Sequence, residues 1–375
     1  MEQMTKNMRL RAGDWVEVRS KEEILKSLDQ KGQLDGMPFM PQMFQYCGQR
    51  LQVFKRAHKT CDTVNQTGGR SLDGGVHLQT RCDGKAYGGC EAGCLIFWKE
   101  AWLKKITEPS SPGTALPKPE TRDDSLQAGG CSEKDVWAGT KANPGEGSEE
   151  PVYVCQATQV PAATALLGPW NIHQYVEDLE SGNVGVPTML RGFIYMGCNS
   201  LINAGIGLGR PLRWLYDAWQ RLWRGVPYPR KKGLVPAGVS TPNAVLSLQP
   251  GEWVRVKSYD EILKTLDQNS KNRGLYFDAE MVPYCGKSFR VQGRLKKIVD
   301  EKTGKMTEFK SPCILLEGAI CESRYSECRL FCPRAIYSYW REIWLERLPV
   351  EEASHAITAT MVEGGVGKEV QMAAK

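Results

Sequence analysis

The residues with the most chemistry in this 375-residue chain are its thirteen cysteines, an odd number that cannot all pair within one molecule. Eight of them form two sets of like order, Cys47, Cys82, Cys90 and Cys94, then Cys285, Cys321, Cys328 and Cys332. Four thiolates are the ligand number of a closed tetrahedral zinc site, so up to two zinc ions are the expected cofactor on that reading. Such an ion would help a module of under about a hundred residues, which buries only about 60% of its unfolded surface, to fold. The spacing, Cys82-x7-Cys90-x3-Cys94 and Cys321-x6-Cys328-x3-Cys332, lacks paired C-x2-C knuckles. Other chemistries therefore stay open: inert buried thiols, an iron–sulfur cluster, or a redox pair such as Cys90 with Cys94. Cys61 and Cys313 lie near the two sets at positions that do not correspond, and either is a substitute fourth ligand.

Other chemistry finds less support. His58 and His77 have no counterparts between residues 251 and 348, where histidine is absent, so a His-based site shared by both sets is excluded. The run Lys55-Arg56-Ala57-His58-Lys59 is of a kind that lowers a thiol pKa or contacts an anion, and equally of a kind that ends a solvated strand. No P-loop, dinucleotide-binding turn, nucleophile elbow or H-E-x-x-H motif occurs. The motifs thus favour a binding or scaffold protein over an enzyme. A cysteine-based redox protein or biosynthetic enzyme is the first alternative.

The elements that position these cysteines come in two copies. Twelve of the eighteen residues from 13 to 30 recur at a constant offset of 238, and Tyr46-Cys47-Gly48 recurs as Tyr284-Cys285-Gly286. Trp98 and Trp102 match Trp340 and Trp344 after a four-residue insertion. A period this long marks duplicated domains. Val16 and Val18 alternate with polar residues, as Val254 and Val256 do, which predicts a half-buried strand. Ser20 with Glu23, and Ser258 with Glu261, predict capping boxes opening a short helix. Further strands are predicted around Leu51 and Val53, Val76 and Leu78, Phe289 and Val291, and Ile314 and Leu316, with a turn over residues 300–305.

This order of strand, helical excursion, strand, hairpin and aromatic segment resembles an SH3-like barrel with an enlarged first loop, as in KOW-type modules and the nitrile hydratase β-subunit barrel. The resemblance covers about half the chain and carries no catalytic motif. It implies a mainly β (α+β) protein with two tandem Cys-rich modules, at residues 1–106 and 236–350. Between them a flexible linker is expected over 107–150 and a helical connector over 151–235, and a disordered tail over 351–375.

Within the connector, a helix predicted over 211–224 carries Trp214, Trp219 and Trp223 together with Arg213, Arg221 and Arg224. That is the composition of an interfacial helix, but a Trp face packed on a barrel has the same pattern and is the expectation here, with protein as the partner and a membrane surface as the alternative. Residues 192–209 are apolar but too short and too polar for a span. Forty-nine basic against forty-three acidic residues give +6, which does not point to nucleic acid, and no small-molecule ligand is specified. The polar N-terminus has no secretion pattern, so reduced thiols and a cytoplasmic location are expected.

Overall fold

A computed structural model describes residues 9–107, 130–142, 150–205, 207–222 and 225–349. The tail, much of the expected linker, Trp223 and Arg224 lie outside the described residues. The fold is mixed, with several antiparallel sheets, two of them half-barrels, and few helices. The chain divides into two compact units. The first comprises Met1–Gly209 together with Lys297–Glu308 and Cys321–Ile336; the second comprises Arg210–Lys296, Phe309–Ile320 and Tyr337–Lys375.

In the first unit a five-stranded sheet runs in the order Leu95–Lys99, Gly75–Arg81, Arg50–Arg56, Trp15–Val18, Leu103–Ile106. In the second sheet the order is Met306–Leu316, Ser288–Val299, Trp253–Val256, Leu345–Arg347. The register repeats as well: Trp15 pairs with Gln52 and Val16 with Leu51, while Trp253 pairs with Arg290 and Val254 with Phe289. Period-two alternation sends Val16 and Val18, or Val254 and Val256, into a core where all four are buried.

Each core is organised by one phenylalanine between two tryptophans. Phe39 meets Trp98 and Trp102 edge-on at 6.3 and 5.2 Å, and Phe277 meets Trp340 and Trp344 at 6.2 and 5.1 Å. Both capping boxes form, at Ser20 and Ser258, and they set Ile24 and Ile262 against these rings.

Elsewhere the copies differ. Within the expected linker, Ser132 caps a short helix, Glu133–Ala138, which buries Val136 in the first core. The connector supplies helices Gln156–Ala163, His173–Glu180 and Val186–Asn203 to the first unit and Gly209–Leu222 at the start of the second. No described helix is long and apolar enough to cross a membrane. The first unit also holds a small sheet, Ala165–Leu167, Gly68–Ser71 and Lys59–Asp62, that the second lacks among its described residues.

Candidate functional site: a thiol centre around Arg334

The strand Lys59–Asp62 is buried at all four positions although three of its residues are polar. Burial of charge is costly unless each ion finds a partner, and here each does. Lys59 Nζ lies 2.5 Å from Asp178 Oδ2, with His58 Nε2 3.3 Å from the other carboxylate oxygen. Desolvation lowers the Lys59 pKa, and Asp178 opposes that shift. Asp62 accepts from Thr67 Oγ1, from the Asn65 amide and from Arg70. Burial raises its carboxyl pKa, but these donors together hold it below the usual range.

Between these two ion pairs stands Cys61, in register with Gly69 on the neighbouring strand. Cys332 lies close enough to Cys61 for each thiol to shift the other's titration. The guanidinium of Arg334, itself buried, reaches the Cys61 carbonyl at 3.4 Å and Thr63 Oγ1 at 2.7 Å. Its Nη1 is 3.9 Å from Cys61 Sγ, and its Nη2 donates to Glu301 Oε1 at 2.9 Å. The neighbouring Cys332 thiol, together with the positive charge of Arg334, holds the Cys61 pKa below that of a free thiol against the opposing effect of burial, and the Cys332 pKa is correspondingly raised.

Local strain and packing set Cys332 in place. Phe331 and Ala335, on either side of the Cys332–Arg334 turn, have φ of 60° and 46°, a region that costs a non-glycine residue about 1–2 kcal/mol. Phe331 is held by ring contacts with Tyr175 and Phe193, and it sits where a Cβ on Gly192 would come within 2.4 Å of its ring. Only glycine at position 192 leaves room for that anchor.

Arg334 also borders a cavity of about 30 Å³ whose wall includes Cys82, Cys90, Cys94 and Cys155, with Tyr87 and Phe97. The loop carrying the first three is closed by Cys82 N–H donating to the Cys94 carbonyl at 2.9 Å. Gly84 makes this possible, since a Cβ there would lie 1.9 Å from the Cys90 carbonyl oxygen. Backbone N–H groups point at three of the sulfurs: Gly84 at Cys82, Val299 at Cys90 (3.3 Å), and Thr158 and Ala157 at Cys155, the N-cap of the helix Gln156–Ala163. Burial nevertheless raises Cys82 to about 12, and Cys94 and Cys155 in the same direction. At neutral pH these three are protonated and poorly nucleophilic, whereas the Cys61 thiol is shifted towards its thiolate.

The cysteines singled out by spacing are thus redistributed. Cys82, Cys90 and Cys94 share a wall, and the fourth thiol there is Cys155, not Cys47 or Cys61. Cys47 and Cys285 pack against the aromatic cores, and burial raises them to about 11 and about 12. Cys313 is buried in the second unit, 3.7 Å from Arg341 Nη1. Cys321 contacts Ser323, and Cys328 is exposed on a cleft of about 310 Å³ beside Tyr195 and Asn199. Because Cys321, Cys328 and Cys332 belong to the first unit and Cys285 and Cys313 to the second, that set falls in two different units. Among the described residues no group of three or more His, Cys, Asp or Glu side chains is arranged to hold a metal ion. No family model, curated protein or solved structure matches the chain.

On the connector helix, Trp214 and Trp219 are exposed and Arg221 is exposed beside them, while the Arg213 guanidinium stacks over Tyr228 at 5.5 Å.

Proposed function

We propose that the first unit is a dithiol redox centre in which Cys61 and Cys332 interconvert with a disulfide. The observation that carries this reading is the placing of the Cys61 and Cys332 thiols side by side next to Arg334, whose Nη1 is 3.9 Å from Cys61 Sγ. The Cys61 thiolate attacks one sulfur of an incoming disulfide, forms a mixed disulfide and expels the other sulfur as a thiolate. The Cys332 pKa is raised by the neighbouring Cys61 thiol, by burial and by the charge on Cys61, and the part that comes from Cys61 is relieved once that sulfur is bonded. Cys332 then gives up its proton, attacks Cys61 Sγ and releases the second thiolate. Two electrons pass to the incoming disulfide. The other described cysteines are free thiols, which fits a reducing, cytoplasmic setting.

In this reading the scaffold is a duplicated SH3-like module, supported by the repeated strand register and the repeated Phe–Trp–Trp cores. The test is oxidation of native protein with oxidised glutathione, blocking of free thiols and peptide mapping. The expected product is one cross-link, Cys61 to Cys332, absent from C61S and C332S. Cross-links confined to other cysteines, or free Cys61 and Cys332 at complete oxidation of the exposed Cys328, would overturn it.

A second reading is favoured by the backbone N–H groups aimed at Cys82, Cys90 and Cys155, the kind of support that tunes thiolate ligands. It makes Cys82, Cys90, Cys94 and Cys155 the ligands of a soft ion such as zinc, which would draw the four sulfurs together and deprotonate them. Elemental analysis of protein purified without chelator decides it: about one zinc or iron per chain, lost in C94S, supports this reading, and metal-free protein of full stability removes it.

A further inference from the structure

The helix Gly209–Leu222 is fixed to the second unit along one edge only. Tyr216 is buried and meets Tyr228 edge-on at 6.0 Å, and Asp217 accepts from the Tyr228 amide at 2.6 Å and pairs with Lys231 at 3.2 Å. The opposite arc is apolar and turned to solvent: Pro211, Trp214, Leu215, Trp219 and Leu222 succeed one another at helical spacing. Trp214 is 67% exposed and Leu222 82% exposed, values that interior packing would not leave on such side chains. The exposed Arg210 and Arg221 lie along the Trp214 side of that arc.

Charge is gathered at the same place. Residues 210–232 contain seven basic side chains and one acidic one, a net of +6 that equals the formal charge of the entire chain. The single acid, Asp217, is turned to the protein by its pairing with Lys231. An apolar helical arc with tryptophan at its margins and arginine on its flank, in an otherwise neutral chain, matches the layering of an anionic lipid surface. Nucleic acid would use the arginines but gives no cover to Leu215 and Leu222.

We propose that the helix Gly209–Leu222 docks on anionic bilayers, lying in the interface with Trp214, Leu215, Trp219 and Leu222 inserted. The inference is independent of the thiol chemistry. The experiment is co-flotation of the full chain with vesicles of phosphatidylcholine alone or mixed with an equal part of phosphatidylserine. Binding to the mixed vesicles is expected, weakened by salt and accompanied by a blue shift of tryptophan fluorescence. W214S/L222S, whose sites are exposed and whose circular dichroism should match the wild type, is expected to lower partitioning at least about tenfold. R210Q/R221Q is expected to lower it on the mixed vesicles and leave any residual binding to phosphatidylcholine unchanged. Absence of flotation with either vesicle overturns the proposal. So does a concentration-dependent dimer that W214S/L222S abolishes while flotation is unaffected, which would assign the face to a second copy. Salt-sensitive binding to RNA without flotation would equally overturn it.

Discussion

In the strand Gly75–Arg81 of the first half-barrel sheet Val76 and Leu78 flank His77; at the corresponding positions of the second, offset by 238, Ile314 and Leu316 flank Leu315. The contrast extends outward. The first unit buries Arg56, Lys59, Asp62 and Arg70 on or beside its small extra sheet, each with an ionic partner. The second unit repeats the Phe–Trp–Trp core without that sheet. The second unit has a largely buried ion pair of its own, Arg294 with Glu342 at 2.9 Å, but among its described residues no strand that buries charged side chains as Lys59–Asp62 does. The first unit's extra charges line the strand that carries Cys61, where a thiol centre of the kind proposed would place them.

The largest effects should fall on what the copies share. Trp102→Ala and Trp344→Ala each remove a fully buried indole and should each cost roughly 3–5 kcal/mol by denaturant unfolding. Near-equal losses would sharpen the equivalence of the two cores; a loss confined to one would break it.

Next come the charges peculiar to the first unit. Asp178→Asn strands Lys59 in a site that is 2% exposed and should cost about 3–5 kcal/mol. The double variant Lys59→Met/Asp178→Leu should recover most of that loss. Failure of the double variant to recover would make the pair a structural requirement and undo the argument from the second copy.

The shared frame was the legible part of the sequence, because apolar period and capping boxes survive duplication and depend on neighbours within a few residues. Ser20 and Glu23 predict their helix start as Ser258 and Glu261 do. The thiol centre was less legible for a physical reason. Spacing pairs like with like, whereas Cys61 meets Cys332 from the other copy and Cys155 comes from a segment that has no repeat. The signal available was the strand Lys59–Asp62, whose polar residues forecast exposure while their partners, Asp178 and Arg70, make burial tolerable. The direction of the Trp face was similarly hidden: composition gives an amphipathic helix, but only Tyr216 and Asp217 decide which edge is held.

A smaller effect distinguishes the two inner tryptophans. Trp98 Nε1 donates to Thr80 Oγ1 at 2.9 Å, whereas position 318, the counterpart of Thr80, is glycine and Trp340 Nε1 is buried without a partner among the described residues. Thr80→Val should cost roughly 1–3 kcal/mol and make the first core resemble the second. A negligible loss would mean that neither indole needs its hydrogen bond.

At neutral pH the smallest effect belongs to His77→Leu, which installs the residue of the second copy. His77 is fully buried, its Nδ1 is 2.9 Å from the Ile96 carbonyl oxygen, and burial lowers its pKa to about 3. In the unfolded chain the imidazole takes a proton near its ordinary value of about 6.5. Between those values the unfolded state binds the extra proton, so this group's contribution is complete above about pH 6.5 and is lost as the pH falls towards 3. The slope from this one residue is at most about 1.4 kcal/mol per pH unit. Denaturant unfolding from pH 6.5 to 5, above the range of ordinary carboxylates, isolates it. The wild-type protein should weaken over that interval, and H77L should hold nearly constant because leucine takes up no proton in either state. An unchanged slope in H77L would place the acid sensitivity elsewhere and remove the clearest titrating difference between the two sheets.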